Sequence, residues 1–170
     1  MKTNWFRRTS ASKANQLVRV PQYLDCKERS TLKAKRTGRC LCGSFQYSFN
    51  AEPVVSFNCH CRDCQRATGS VFASIFAVPK DSLTMTGEYR FFTKRGDSGR
   101  EVSRGFCPEC GSRVVSTAEH SPNLYLVYAS SLDDPSWYKP AMNSYTASAL
   151  PWDCMDPDLP KYEQGRPTSG

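Results

Sequence analysis

The chain has 170 residues, 39% of them apolar, which is enough for one ordinary domain with a hydrophobic core and excludes compositional disorder. Its net charge of +7 is uneven: residues 1–39 hold eleven Lys/Arg and two Asp/Glu (+9), while residues 40–170 hold twelve and fourteen (−2). The basic character therefore belongs to an N-terminal arm, and the near-neutral body excludes a protein that is a polyanion binder over its whole surface.

In chain order, residues 1–37 show no sustained periodicity and read as a basic, flexible extension. Lys2, Arg7, Arg8, Lys13 and Arg19 occur in residues 1–24 without an acid, a composition shared with organelle transit peptides. A simple extension on a cytoplasmic protein is the preferred reading, since an apolar secretory core is absent from this stretch. The domain proper is expected over 38–160, with a short tail over 161–170. From Cys42 to Asn50, Phe45, Tyr47 and Phe49 alternate with Ser44, Gln46 and Ser48, the signature of a half-buried strand. Cys61 to Thr68 suits one short helix closed by Gly69. Val71 to Val78 is the longest charge-free apolar run, too short for a membrane span and right for a central strand. Leu83–Thr86 and Tyr89–Thr93 flank Gly87-Glu88 and read as a hairpin. Val102–Phe106, Arg113–Thr117 and Leu124–Ala129 are further strands. After Leu132 the sequence is irregular, and from Pro151 it is proline-rich and expected to fray. Short strands and one short helix predict a mainly β domain of curved sheets.

Nine cysteines carry most of the chemical information. Seven fall into Cys40-Leu41-Cys42-Gly43, Cys59-His60-Cys61-Arg62-Asp63-Cys64 and Cys107-Pro108-Glu109-Cys110-Gly111. Disulfides between residues so close would be strained and would staple nothing distant, so the spacing suits a metal in a reducing compartment. Cys40, Cys42, Cys107 and Cys110 together make a closed tetrahedral set, the layout of a structural zinc; Gly43 and Gly111 relieve the two turns. Cys59, Cys61 and Cys64 make a three-ligand set with one exchangeable position, the layout of a catalytic zinc. A single four-cysteine site with three spare thiols is an alternative reading, as is a redox role for Cys107-x-x-Cys110. Isolated Cys26 or Cys154 could fill the open position. His60, between two ligands in an extended segment, is expected to point away from the metal.

The motifs around these cysteines continue through Asn58-Cys59-His60-Cys61-Arg62-Asp63-Cys64-Gln65-Arg66-Ala67-Thr68-Gly69-Ser70, Gly105-Phe106-Cys107-Pro108-Glu109-Cys110-Gly111-Ser112, Ser131-Leu132-Asp133-Asp134-Pro135 and Leu150-Pro151-Trp152. Together they resemble the glutathione-dependent formaldehyde-activating enzyme family, which includes centromere protein V. The resemblance implies a β-tent fold of curved antiparallel sheets built around a structural zinc. It implies two zinc ions per chain on the two cysteine sets and carbon–sulfur lyase activity. The type reaction is the reversible addition of glutathione to formaldehyde, giving S-hydroxymethylglutathione. The partners so implied are a small thiol and a small aldehyde, with no membrane. Arg62, Arg66, Lys94 and Arg95 are the candidates to hold the glutathione carboxylates. Relatives often carry a histidine shortly after the Asp-Asp-Pro turn, where this chain has Pro140-Ala141-Met142-Asn143. The competing reading is a non-enzymatic zinc-scaffolded module whose basic arm contacts nucleic acid or another acidic partner.

Overall fold

A computed structural model describes residues 35–166. The expected arm over 1–34, including the transit-type segment and Cys26, and residues 167–170 of the tail lie outside the described residues.

The fold is mainly β, with two sheets. Strands β1 (Arg36–Arg39), β2 (Gln46–Phe49) and β5 (Leu83–Thr86) form a three-stranded antiparallel sheet in the order β1-β2-β5. The larger sheet holds β3 (Val55–Cys59), β4 (Ala73–Pro79), β6 (Arg90–Arg95), β7 (Glu101–Phe106), β8 (Arg113–Ala118), β9 (Leu124–Tyr128), β10 (Asn143–Ser144) and β11 (Lys161–Tyr162). Its order is β11-β10-β3-β4-β9-β8-β7-β6, antiparallel except where β10 runs parallel to β3 and to β11. The one α-helix among the described residues, α1 (Arg62–Thr68), follows β3 and ends at Gly69, whose φ of 69° is the left-handed cap that glycine adopts without penalty.

The alternating stretch behaves as its pattern dictates. Phe45, Tyr47 and Phe49 are buried and face Phe76, Val78, Val114, Val115 and Val127 of the large sheet. Trp137, from the segment after β9, closes this core edge-on against Phe49 and Phe76, with ring centroids 6.1 and 5.3 Å away.

Leu83–Thr86 and Tyr89–Thr93 do not form the expected hairpin. β5 pairs with β2, whereas β6 pairs with β7, so the chain changes sheets between them. Gly87, at φ 96°, makes that crossing; a Cβ there would collide with the Ser44 carbonyl oxygen. The glycine signalled a sharp turn, but close passage over the Ser44–Phe45 backbone that leads into β2 demanded it rather than a two-residue hairpin.

The last segment also differs from the frayed end expected of its prolines. β11 pairs with β10, and the amides of Asn143 and Tyr145 donate to the carbonyls of Pro160 and Gln164 at 2.8 and 3.0 Å. Prolines removed donors from the ladder, yet enough other backbone groups remained to pair. No helix among the described residues is long and apolar enough to cross a membrane.

Candidate metal centre and its surroundings

Two tight turns approach each other at one end of the core. In the first, the Gly43 amide donates to the Cys40 carbonyl at 3.1 Å; in the second, between β7 and β8, the Gly111 amide donates to the Cys107 carbonyl at 2.9 Å. Gly43 and Gly111 have φ values of 78° and 74°, the matching left-handed positions of two like knuckles. The sulfurs of Cys40, Cys42, Cys107 and Cys110 all lie within 4.8 Å of one another. Cys40 to Cys42 is 3.5 Å and Cys42 to Cys107 is 3.7 Å. A tetrahedron with metal–sulfur bonds of about 2.3 Å has edges of about 3.8 Å, so the donor set fits a thiophilic ion such as zinc. The Phe45 amide donates to the Cys40 sulfur at 3.3 Å, and the Ser112 hydroxyl beside Cys110 holds that thiol down to about 5.

The second cluster is local. Cys59 ends β3, Cys61 caps α1 and Cys64 sits in its first turn. Their sulfurs also lie within 4.8 Å of one another, all three residues are buried, and no further Cys, His, Asp or Glu joins the group among the described residues. The Cys64 amide donates to the Cys61 sulfur at 3.3 Å. Sharing one small volume splits the thiols: hydrogen bonds from Cys59 and Cys64 hold Cys61 down to about 2, while Cys61 pushes Cys59 up to about 12 and Cys59 pushes Cys64 up. A bound cation satisfies all three as thiolates, the form a metal requires. Cys154 is exposed and belongs to neither group.

His60 turns away from the sulfurs into the protein. Nothing of it is exposed; Nδ1 lies 2.7 Å from Asp153 Oδ2 and Nε2 lies 3.0 Å from Asn143 Oδ1. Asn143 is thus a buried neighbour of the ligand strand, with its amide nitrogen unpartnered. The Gln65 amide donates to the His60 carbonyl at 2.7 Å and the Ser148 carbonyl at 3.0 Å, tying α1 to the C-terminal segment. Tyr145 packs against the same cluster and has φ 57°, the one positive value outside glycine among the described residues.

The four candidate cations separate. Arg66 and Lys94 border a cavity of about 280 Å³ together with Asp63, Phe92, Arg104 and Arg113. Arg62 instead hydrogen-bonds Gln65 and, with Arg66, borders a second cavity of about 280 Å³ on the other side of α1, next to Leu150 and Trp152. Arg95 donates to the Gly99 carbonyl at 3.1 Å and borders neither. The residue that sequence reasoning missed is Arg104, 5% exposed. Burial opposes its charge, but Cys64, Tyr128, Asp63 and Cys61 restore it, raising its pKa. The signal was Gly105: a glycine inside a strand marks a bulge, and the β7–β8 register does shift between Arg104 and Phe106.

A mainly β scaffold with two such sulfur clusters defines a protein equipped to hold metal through cysteine. The family described as glutathione-dependent formaldehyde-activating enzyme matches residues 35–148, and the chain belongs to that family. A Podospora anserina protein named "Putative glutathione-dependent formaldehyde-activating enzyme" is 26% identical over 121 residues, covering 67% of this chain and 55% of its own length. One of the same name from Penicillium rubens is 24% identical over 117 residues, covering 66% of this chain and 61% of its own. The chain therefore spans little more than half the length of the curated relatives it matches. The crystal structure of a Rhodobacter sphaeroides protein is 20% identical, with a TM-score of 0.46, over 61% of this chain and 91% of that one.

Proposed function

We propose that this chain is a zinc-dependent carbon–sulfur lyase that reversibly joins glutathione, or a similar thiol, to formaldehyde or another small aldehyde. The observation that carries the reading is the buried Cys59/Cys61/Cys64 group, three convergent sulfurs with no fourth side chain among the described residues. Cys59, Cys61 and Cys64 would hold the zinc, which would supply Lewis acidity that favours the deprotonated form of an incoming thiol. In the forward direction a sulfur–carbon bond forms, the carbonyl π pair moves to oxygen, and that oxygen takes a proton; the reverse reaction expels the thiol. The cysteines of the closed group, Cys40, Cys42, Cys107 and Cys110, hold a structural zinc that joins the two knuckles. Hence two zinc ions per chain.

The chain's other residues bind and orient. Three cysteine thiolates holding a divalent ion would leave one negative charge, and an arriving substrate thiolate would add another. Arg104, buried beside Cys61 and Cys64, offsets that build-up. Of the cations expected at the glutathione carboxylates, Arg66 and Lys94 flank α1 on the side of Arg104, with Lys94 held by Asp63 at 2.8 Å. Arg62 serves from the opposite side of the helix, and Arg95 reaches a ligand only by leaving Gly99.

The test compares Cys61→Ser with the native protein. Zinc content falls from two to one per chain and formation of the thiol–aldehyde adduct ceases, with the unfolding transition retained. Undiminished turnover in Cys61→Ser refutes the proposal.

A further inference from the structure

Each polar group of His60, the residue between Cys59 and Cys61, faces a partner inside the protein. Its amide donates to the Ser144 carbonyl at 2.9 Å, and its carbonyl accepts from the Gln65 amide. Asp153 and Asn143 stand at the two ring nitrogens, and the Phe72 ring lies beside the imidazole, 5.1 Å between centroids. Asn143, Ser144 and Asp153 all come from the C-terminal segment, and Gln65 bonds that segment too, through the Ser148 carbonyl.

This anchorage reaches all three sulfurs. Cys61 is extended, with φ −62° and ψ 149°, and side chains along an extended chain alternate in direction. A His60 ring clamped inward therefore sends the side chains of Cys59 and Cys61 together to the opposite side. Cys59 is further held between two strands, opposite Ala73 of β4 and Ser144 of β10. Cys64 lies in α1 one residue before Gln65, whose amide bridges the His60 and Ser148 carbonyls. Stability alone is a poor account of the arrangement. A buried ion pair gains little over well-packed apolar side chains of similar volume, and this one sits beside a buried, unpartnered Asn143 amide nitrogen. What polar contacts supply and apolar packing does not is a fixed direction.

We propose that His60 is a positioning residue: Asp153 and Asn143 fix its ring, the ring aims Cys59 and Cys61, and the C-terminal segment thereby sets how tightly the three-cysteine group holds its ion. The inference rests on the metal-binding part of the reading above and adds to it residues outside the ligand set. Sulfurs aimed in advance leave less chain to be ordered when an ion binds. Loss of the outer partners that orient metal ligands costs about ten- to a hundredfold in metal affinity.

The experiment titrates the full zinc-loaded chain with a chromophoric chelator and reads the concentration that removes the first zinc, beside the denaturant midpoint of each protein. The double variant His60→Leu/Asp153→Leu fills the buried space with an apolar pair and should fold, yet yield its first zinc at about ten- to a hundredfold lower chelator concentration than the native protein. Asp153→Asn keeps an oxygen beside His60 and should hold that zinc nearly as the native protein does. Phe49→Leu is the control for lowered stability alone, since Phe49 belongs to the core on the other face of the large sheet. A double variant that holds its first zinc as tightly as Phe49→Leu does overturns the positioning role and leaves the proposed function standing. A native chain that carries only one zinc overturns the proposed function and the positioning role together.

Discussion

Asp153 Oδ2 lies 2.7 Å from His60 Nδ1, and neither side chain is more than 3% exposed. The pair joins the strand-to-helix loop of the three-cysteine group to a segment more than ninety residues later in the chain. Removing one partner leaves the other buried and unmatched, whereas removing both ends that mismatch and costs packing and the His60–Asn143 contact. Asp153→Ala should therefore lower the unfolding free energy by about 3 kcal/mol. The double variant His60→Leu/Asp153→Leu should be the less damaged. Denaturant melts of the two single variants and the double variant check this; additive losses would show that the contact carries no coupling.

Metal removal should proceed in two stages. On the proposed two-zinc reading, no fourth side chain among the described residues joins the three-cysteine group, so a chelator should take its ion first and leave the secondary structure in place. The second ion leaves with the fold, because its binding free energy is folding free energy, about 10–16 kcal/mol in small zinc domains. Cys107→Ser should accordingly abolish cooperative unfolding and Cys61→Ser should not. Circular dichroism alongside metal analysis distinguishes the stages; simultaneous loss of both ions contradicts the division.

Tyr145 holds a left-handed backbone that costs a residue with a Cβ about 1–2 kcal/mol. Both Tyr145→Gly and Tyr145→Ala lose the ring's packing, but glycine escapes the backbone cost. The glycine variant should be the more stable of the two by about 1 kcal/mol, read from denaturation midpoints.

Tyr138 is pushed up from 10.0 to about 12 by burial, and its hydroxyl donates to the Phe57 carbonyl at 3.1 Å. The unfolded chain loses this proton first. The tyrosine's contribution is thus fully present below pH 10 and is lost as pH rises through about 12, a decline of about 3 kcal/mol. Tyr138→Phe should be less stable than the native protein at pH 8 and show a shallower alkaline decline.

The cysteine sets were legible because their spacing is local and their chemistry leaves few alternatives. Phe45, Tyr47 and Phe49 were legible because strict alternation has one solution. Contacts that span the chain were not. Nothing near Leu83 says that β5 returns to β2, since Gly87 fits a hairpin and a crossing equally well. Asp153 reads as one acid in a polar, proline-rich tail until folding places it against His60. Arg104 was hidden by a bulge: alternation along Val102–Phe106 breaks at Gly105, and only the paired register of β7 and β8 shows which way the arginine turns.

The two sulfur clusters differ in how much chain each encloses. Cys59 to Cys64 lie in one short stretch, complete as soon as that stretch emerges from the ribosome. Cys42 and Cys107 are 65 residues apart, and their knuckles meet only after four of the eight strands of the large sheet have been synthesised. The loop-closure entropy of the second junction is the larger and falls due late. The nascent chain thus exposes the three-cysteine group well before β10 and Asp153 arrive to shelter it, so on the proposed two-zinc reading the order of metal capture in the cell runs opposite to the order of metal retention in the finished protein.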